Sequence, residues 1–269
     1  MNEILSQNQS KPGNLVQTIE RVSFILDILG KSPQGISVGE LSEKVNLPKG
    51  TTHRLLSSLA YFDYVRQDSG TKNYSLGFKL VELGNRLLDQ IDFRTEARPF
   101  LVELAEHTKE TVHMVILDQS EVLYIDKVEA SDNPAGLRMV SKLGSRVPAH
   151  CSAVGKVLLS ALPEAKLQEL IRIKGLPRKT QNTITDVEKL KEHLNLIRKR
   201  GYALDNEEHE RGIRCVGAAI RDQRGEVIAA ISISVPVLRV PKQVLESSLK
   251  VQVMQTALNI SRKLGYSGE

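Results

Sequence analysis

The sequence predicts an α+β protein of two domains and a connector: a winged helix-turn-helix over residues 1–77, a linker helix over 78–92 and a mixed α/β domain over 93–269. Three observations predict it. Three short helical patterns precede residue 62 and are followed by two β-prone runs around a turn. A leucine-rich helical stretch comes next. Beyond residue 110, runs that alternate β-branched and polar residues are interleaved with amphipathic helices, which marks a layered mixed architecture.

The segment MNEILSQNQSKPGN is polar and is expected to fray. From Val16, the apolar residues Val16, Ile19, Val22, Phe24, Ile25, Ile28 and Leu29 fall largely on one helical stripe that stops at Gly30. After the loop KSPQG, Ser37 is placed to cap a second helix, with Glu40 three residues on in capping-box spacing. Val38, Leu41 and Val45 form its inner side, and Asn46 ends it. NLPKG then turns the chain into a third helix over 49–61. Projected at about 100° per residue, Thr52, Leu55, Leu56, Leu59 and Phe62 form a core stripe. His53, Arg54, Ser57, Ser58 and Tyr61 take the other side, and Lys49 and Thr51 sit at the start, where backbone N–H groups suit a phosphate. In YVRQDSGTKNYSLG, Asp-Ser-Gly is turn chemistry between β-prone Val65, Tyr74 and Leu76, so a hairpin forms the wing.

Leu80, Leu83, Leu87, Leu88 and Ile91 mark the connector, expected to pack on another copy of itself. A helix over 96–107 follows, and TVHMVILDQSEVLYIDKVEA reads as a hairpin turning at DQSE. GLRMVS reads as a third strand and GSRVPAH as a loop. CSAVGKVLLSAL is a helix, Pro163 to Ile173 another, and DVEKLKEHLNLIRKRGYA an amphipathic helix stopped by glycine. IRCVGAAIRDQRGEVIAAISISVPV is a long hairpin with Arg-Gly at its turn, and a closing helix spans 242–264.

Composition narrows the function. With 269 residues, 41% apolar and 26% charged, the chain can bury two cores and is not compositionally disordered. The absence of tryptophan and only 4% aromatics argue against stacking platforms for single strands or sugars. A net charge of +5 permits a polyanionic partner. The first eighty residues, however, hold nearly as many acids as bases, so non-specific attraction to DNA is expected to be modest. No apolar run approaches the roughly 20 residues of a bilayer span, and MNEILSQNQSKPGN lacks the charged start and apolar stretch expected of a signal peptide. Two cysteines, Cys151 and Cys215, cannot build a disulfide framework. A cytoplasmic, reduced protein with no membrane partner is expected.

Three segments, in this order and spacing, carry a family resemblance: the early winged helix with THRLLSSL, then RVPAHCSAVGKVLLS, then GYALDNEEHERGIRCVGAAI followed by ISIS. Over nearly everything from Leu15 to Leu264 the chain resembles the IclR family of bacterial transcriptional regulators. The resemblance implies a winged helix-turn-helix on double-stranded operator DNA, a linker helix, and a C-terminal domain of GAF/profilin-like α/β fold that binds a small effector. It also implies a homodimer or dimer of dimers acting on palindromic sites.

On that reading the third helix enters the major groove, which admits a helix and shows guanine acceptors to arginine. Lys49, Thr51, Thr52, His53, Arg54, Ser57 and Ser58 are its candidate DNA contacts, with Arg66 and Lys72 reaching the backbone from the wing. A solvated helix face is the bland alternative, made less attractive by the flanking helices and hairpin. The resemblance places an effector pocket around Met139, Val147, Ala153, Val154, Asp205, Ile213, Cys215, Ser232 and Ser234. There Ala153 and Val154 would offer backbone amides to a carboxylate, Ser232 and Ser234 hydroxyls from one strand face, and Asp205 an acceptor for ligand hydroxyls. The expected effector is a small keto, hydroxy or sugar acid, with no cofactor. The plain alternative is that the apolar members are core and Cys215 a small buried hydrophobe.

Two rivals use the same half. His150, Cys151, His209 and Cys215 are zinc-ligand types, but no paired spacing joins them and adjacent side chains diverge. Cys151, His150 and Asp205 could be cast as a nucleophile constellation, yet no nucleophile elbow, P-loop or paired-carboxylate signature supports an enzyme.

Overall fold

The computed structural model describes residues 14–131 and 141–268. The chain divides into two compact units, 1–90 and 91–269. The first holds α1 (Gln17–Gly30), α2 (Val38–Val45), α3 (Lys49–Tyr61), β1 (Val65–Gln67), β2 (Tyr74–Leu76) and α4 (Lys79–Asp89). Ser37 caps α2 by accepting the Glu40 N–H at 3.2 Å, and Asn46 closes it in the left-handed region at φ 53°. Ile25, Leu29, Leu41, Leu56, Val65 and Tyr74 meet in one core, so the three helices and the wing fold as a unit. Strands β1 and β2 pair antiparallel from Val65 opposite Leu76 to Gln67 opposite Tyr74. Ile36 exchanges both backbone bonds with Tyr74, at 2.9 and 2.8 Å, which ties the wing to the turn before α2. This is a winged helix-turn-helix.

The second unit opens with α5 (Asp92–Thr108) and is built on a six-stranded antiparallel sheet ordered β5-β4-β3-β8-β7-β6. Its strands are β3 (Thr111–Asp118), β4 (Glu121–Val128), β5 (Arg146–Val147), β6 (Tyr202–Asn206), β7 (Ile213–Arg221) and β8 (Val227–Pro236). The hairpin β3–β4 turns at Gln119 and Ser120, both at positive φ (49° and 65°), the pair of conformations a tight right-twisted hairpin demands. Helix α6 (Ala153–Ser160) crosses one sheet face, backed by α7 (Glu164–Lys174) and α8 (Val187–Arg200), and Val115, Val154, Val157, Leu159, Leu194 and Ala230 interlock there. The other face carries α5 and a closing helical run. That run is α9 (Lys242–Val244), a π turn over Leu245–Leu249 and α10 (Lys250–Lys263). Among the described residues no helix is long and apolar enough to cross a membrane.

The α+β architecture and winged helix-turn-helix match the sequence reading, with three local differences. Helix α5 begins at Asp92, ahead of the expected residue 96. The loop expected at GSRVPAH contains the two-residue strand β5, with Val147 opposite Val122, followed by a 3₁₀ turn at Ala149–Cys151. Strand β6 was not expected: five residues are too few to show a period, and Asp205 sits at an inward position where an apolar residue would have revealed it. The strand read at GLRMVS lies, apart from Ser141, outside the described residues.

Candidate nucleic-acid interface and effector cavity

Helix α3 starts at Lys49 with Pro48 as its N-cap, no side-chain cap and no acid in its first turn. Its leading N–H groups are therefore left for an outside acceptor. Lys49, His53, Arg54, Ser57 and Ser58 are exposed along one side and Thr51 is half-buried beside them. Among the described residues neither Lys49 nor Arg54 is held in an ion pair. Ser58 Oγ donates to the Arg54 carbonyl at 2.9 Å, which leaves its lone pairs as acceptors.

Thr52 is a correction. It is 0% exposed and its hydroxyl donates to the Pro48 carbonyl at 3.3 Å. The residue lies on the inward stripe with Leu56 and Leu59, where a hydroxyl must find an internal acceptor, so it cannot reach a base. Phe62 departs in the opposite sense: expected in the core stripe, it is 61% exposed and stacks edge-on against Tyr61 at 5.0 Å. The helix ends at Tyr61, so residue 62 no longer follows the helical projection.

In the wing, Asp68 Oδ1 accepts from the Thr71 N–H (2.7 Å), the Thr71 hydroxyl (2.8 Å) and the Gly70 N–H (3.2 Å). Those bonds hold its carboxyl below the usual range and set the turn that presents Lys72, at φ 61°, to solvent. Arg66 is exposed but turned along the wing: Nε donates to Ser75 Oγ at 3.2 Å and the guanidinium lies 4.9 Å from the Phe78 ring centre. The two wing cations are thus held differently, one at the tip and one against the base.

In the second unit a cavity of about 230 Å³ lies between the start of α6 and the sheet. Val147, Ala153, Val154, Asp205, Ile213, Cys215, Ser232 and Ser234 all line it; Met139 lies outside the described residues. Sheet register explains the gathering. Asp205, Cys215 and Ser234 are cross-strand neighbours on β6, β7 and β8, and Gly217, Ser232 and His113 form the adjoining row. A Cβ at Gly217 would stand 3.2 Å from the Val154 nitrogen, so the glycine lets the helix start rest on the sheet.

Ser152 caps α6 by accepting the Gly155 N–H at 3.2 Å, and the first intrahelical bond runs from Lys156 N–H to the Ser152 carbonyl at 2.9 Å. Ala153 and Val154 line the cavity, and their N–H groups precede that first intrahelical bond. Gly155 is obligatory: a Cβ would fall 2.2 Å from the Ala149 carbonyl oxygen. These small residues let the start of α6 pack closely on the sheet.

Several lining residues escaped the sequence reading, His113, Tyr124, Ser152 and Glu210 among them, and His209, weighed there only as a zinc ligand, lines the cavity too. His113 Nδ1 pairs with Ser234 Oγ at 3.2 Å and Nε2 with Ser141 Oγ at 2.7 Å, and the ring meets Tyr124 edge-on at 5.1 Å. Burial, with help from Lys127, drives its pKa down to about 3, so it is a neutral imidazole with one donor and one acceptor. A polar residue in the inward phase of TVHMV was the signal. Asp205 is 3% exposed; burial and the neighbouring Glu208 carboxylate push its pKa up to about 7, against backbone N–H groups of Glu208 (2.7 Å) and His209. Behind the cavity, Lys156 of α6 is fully buried and ion-paired to Glu208.

The residues of the two rival readings do not assemble. His150 Nε2 faces the Pro177 carbonyl at 3.1 Å, Cys215 Sγ meets Ser234 Oγ at 3.2 Å, and Cys151 Sγ lies 3.6 Å from His209 Nδ1. Among the described residues no group of three metal-ligating side chains converges. Cys151 is buried and its thiol pushed up to about 12, which leaves no thiolate nucleophile.

Comparison with known proteins agrees with this geometry. Residues 18–69 match the IclR helix-turn-helix domain, and residues 85–262 the domain described as the bacterial transcriptional regulator IclR C-terminal domain. The chain is 36% identical over 252 residues to the HTH-type transcriptional regulator XynR of Escherichia coli K12, spanning 94% of this chain and 98% of that one. It is 37% identical over 257 residues to KdgR of the same organism, spanning 95% of each. The crystal structure of Thermotoga maritima IclR superposes with a TM-score of 0.79 at 39% identity, covering 93% of this chain and 99% of that one. With an exposed reading helix on a winged base, a cavity in an antiparallel α/β domain and relatives that are named regulators, the chain belongs to the IclR family of bacterial transcriptional regulators.

Proposed function

We propose that this regulator binds palindromic operator DNA as a homodimer or dimer of dimers, and that a small carboxylic acid of the keto, hydroxy or sugar-acid class sets its grip. The observation that carries the effector reading is the cavity of about 230 Å³, whose polar wall is made of the α6 N-terminus, Ser232, Ser234 and Asp205. That volume suits a metabolite of a few carbons, the helix start favours negative charge, and the serines and Asp205 supply partners for a carboxylate and for hydroxyls. Repression is the direction favoured by relatives named as repressors, among them IclR of Escherichia coli K12.

Lys49, Thr51, His53, Arg54, Ser57 and Ser58 are the proposed major-groove contacts, with Lys72 and Arg66 on the flanking backbone. Helix α4 leaves Val81, Leu83 and Leu87 exposed, apolar surface suited to a second copy. A ligand that changes the spacing of the paired reading helices needs a coupling of only about 1–3 kcal/mol to act as a switch. The site of action is the cytoplasm.

A thermal-shift panel of organic acids, followed by gel shift on the DNA upstream of its own gene, tests the reading. A true effector raises the unfolding midpoint by mass action and alters retardation. Ser234→Ala is expected to reduce the thermal shift while leaving DNA affinity intact. Acids that neither stabilise the protein nor alter retardation would remove the effector assignment.

A further inference from the structure

The effector cavity contains an electrostatic conflict. Among the described residues no lysine or arginine lines it, yet Asp205 and Glu210 do, so an anionic guest would share a closed space with a buried carboxylate. Among the other described ionisable groups around Asp205, only Lys156 acts as a counter-charge. His113 on β3 and His209 beyond β6 are driven toward the neutral imidazole by burial. Tyr124 on β4, Cys151 in the 3₁₀ turn and Cys215 on β7 are all pushed upward by burial and stay neutral. Lys156 on α6 lowers the Asp205 pKa, but it is ion-paired to Glu208 and its effect is outweighed by burial and by the Glu208 carboxylate. Glu210 is an exposed side chain.

We infer that the acid ligand enters together with one proton, which Asp205 takes up, and that Glu208 is the positioning residue that prepares Asp205 for it. The inference rests on reading the cavity as a carboxylic-acid site. Glu208 acts through three contacts on one residue. Its N–H donates to Asp205 Oδ1 at 2.7 Å, its carboxylate pairs with Lys156 one turn below the cavity-lining start of α6, and its carbonyl accepts the Thr183 hydroxyl at 2.7 Å. The hydroxyl of Thr180 also donates to the neighbouring Glu207 carbonyl at 2.6 Å, so the whole turn is pinned. Glu208 thereby fixes the Asp205 carboxyl in place and sets a second negative charge behind it. Burial, and after it the neighbouring charge, push the Asp205 pKa up to about 7, so in neutral solution its carboxyl is already partly protonated. Once protonated it becomes a donor, and the guest carboxylate becomes its acceptor. The proton comes from solvent and returns there when the ligand leaves.

The test is calorimetry of the full-length protein with pyruvate and gluconate, in pairs of buffers of different ionisation enthalpy, from about pH 6 to about pH 9. The inference predicts uptake that approaches one proton per ligand above neutrality, and a dissociation constant that rises about tenfold per pH unit there. It also predicts that Asp205→Asn binds with no pH dependence. Glu208→Gln should move the onset of weakening to lower pH, because the charge that raises Asp205 is gone; a merely structural role would weaken binding equally at every pH. Pyruvate or gluconate binding with no proton uptake and a flat profile would overturn the inference and leave the acid site standing. No binding of either acid at any pH would overturn both.

Discussion

Thr52 and Arg54 sit two residues apart on α3 and are expected to behave as opposites. Arg54→Ala should weaken sequence-specific DNA binding by about 1–3 kcal/mol and leave acid binding unchanged, as read by anisotropy on a labelled promoter fragment. Thr52→Val should leave DNA affinity unchanged and alter only stability, by about 1 kcal/mol, because its hydroxyl serves the Pro48 carbonyl. The sequence placed Thr52 on both the core stripe and the contact list; only the packing decides, since a small hydroxyl is at home in either. Asp205 gives a residue-scale prediction of another kind. Its folded pKa of about 7 lies above the ordinary aspartate value of 3.8, so its contribution to stability is full below the lower value and is lost as pH rises through the upper one. Asp205→Asn is therefore expected to raise the unfolding midpoint at about pH 8 and change it little near pH 4. An equal effect at both values would show that the carboxyl does not ionise on the path between them.

At the scale of elements, the helices were readable because each carries its own signal. Ser37 and Asn46 bracket α2, Gly201 stops α8, and the apolar stripes repeat over several turns. Short strands lack that redundancy. Strand β6 and the two residues of β5 exist because neighbours pair with them, from Tyr202 opposite Ala218 to Asn206 opposite Arg214, and from Val122 opposite Val147. Cavity residues split the same way. Ala153, Val154, Ser232 and Ser234 were found through the motifs CSAVG and ISIS, although Ser152 of CSAVG was passed over, whereas His113 and Tyr124 come from strands whose alternation looks like ordinary sheet. The α6 start is the most constrained of these elements. Gly155→Ala would place a methyl group against the Ala149 carbonyl and is expected to lower stability by at least about 1–3 kcal/mol, measured by urea unfolding, together with loss of the acid-induced thermal shift.

For the whole molecule, two units carry two chemistries, and the link between them is the functional claim. The DNA-reading unit is close to charge balance, with bases only slightly ahead of acids. Log affinity against log salt is therefore expected to fall with a slope shallower than about −10 for the proposed dimer, since few phosphates are neutralised. Specificity must then rest on base contacts from α3 more than on bulk attraction. The most direct measurement is the affinity of the full-length protein for the DNA upstream of its own gene, with and without a saturating acid that binds the cavity. The account predicts a change of about 5- to 150-fold between the two conditions, abolished as a sequence-specific signal by Arg54→Ala. Equal affinity with and without the bound acid, or undiminished specific binding by Arg54→Ala, would contradict it.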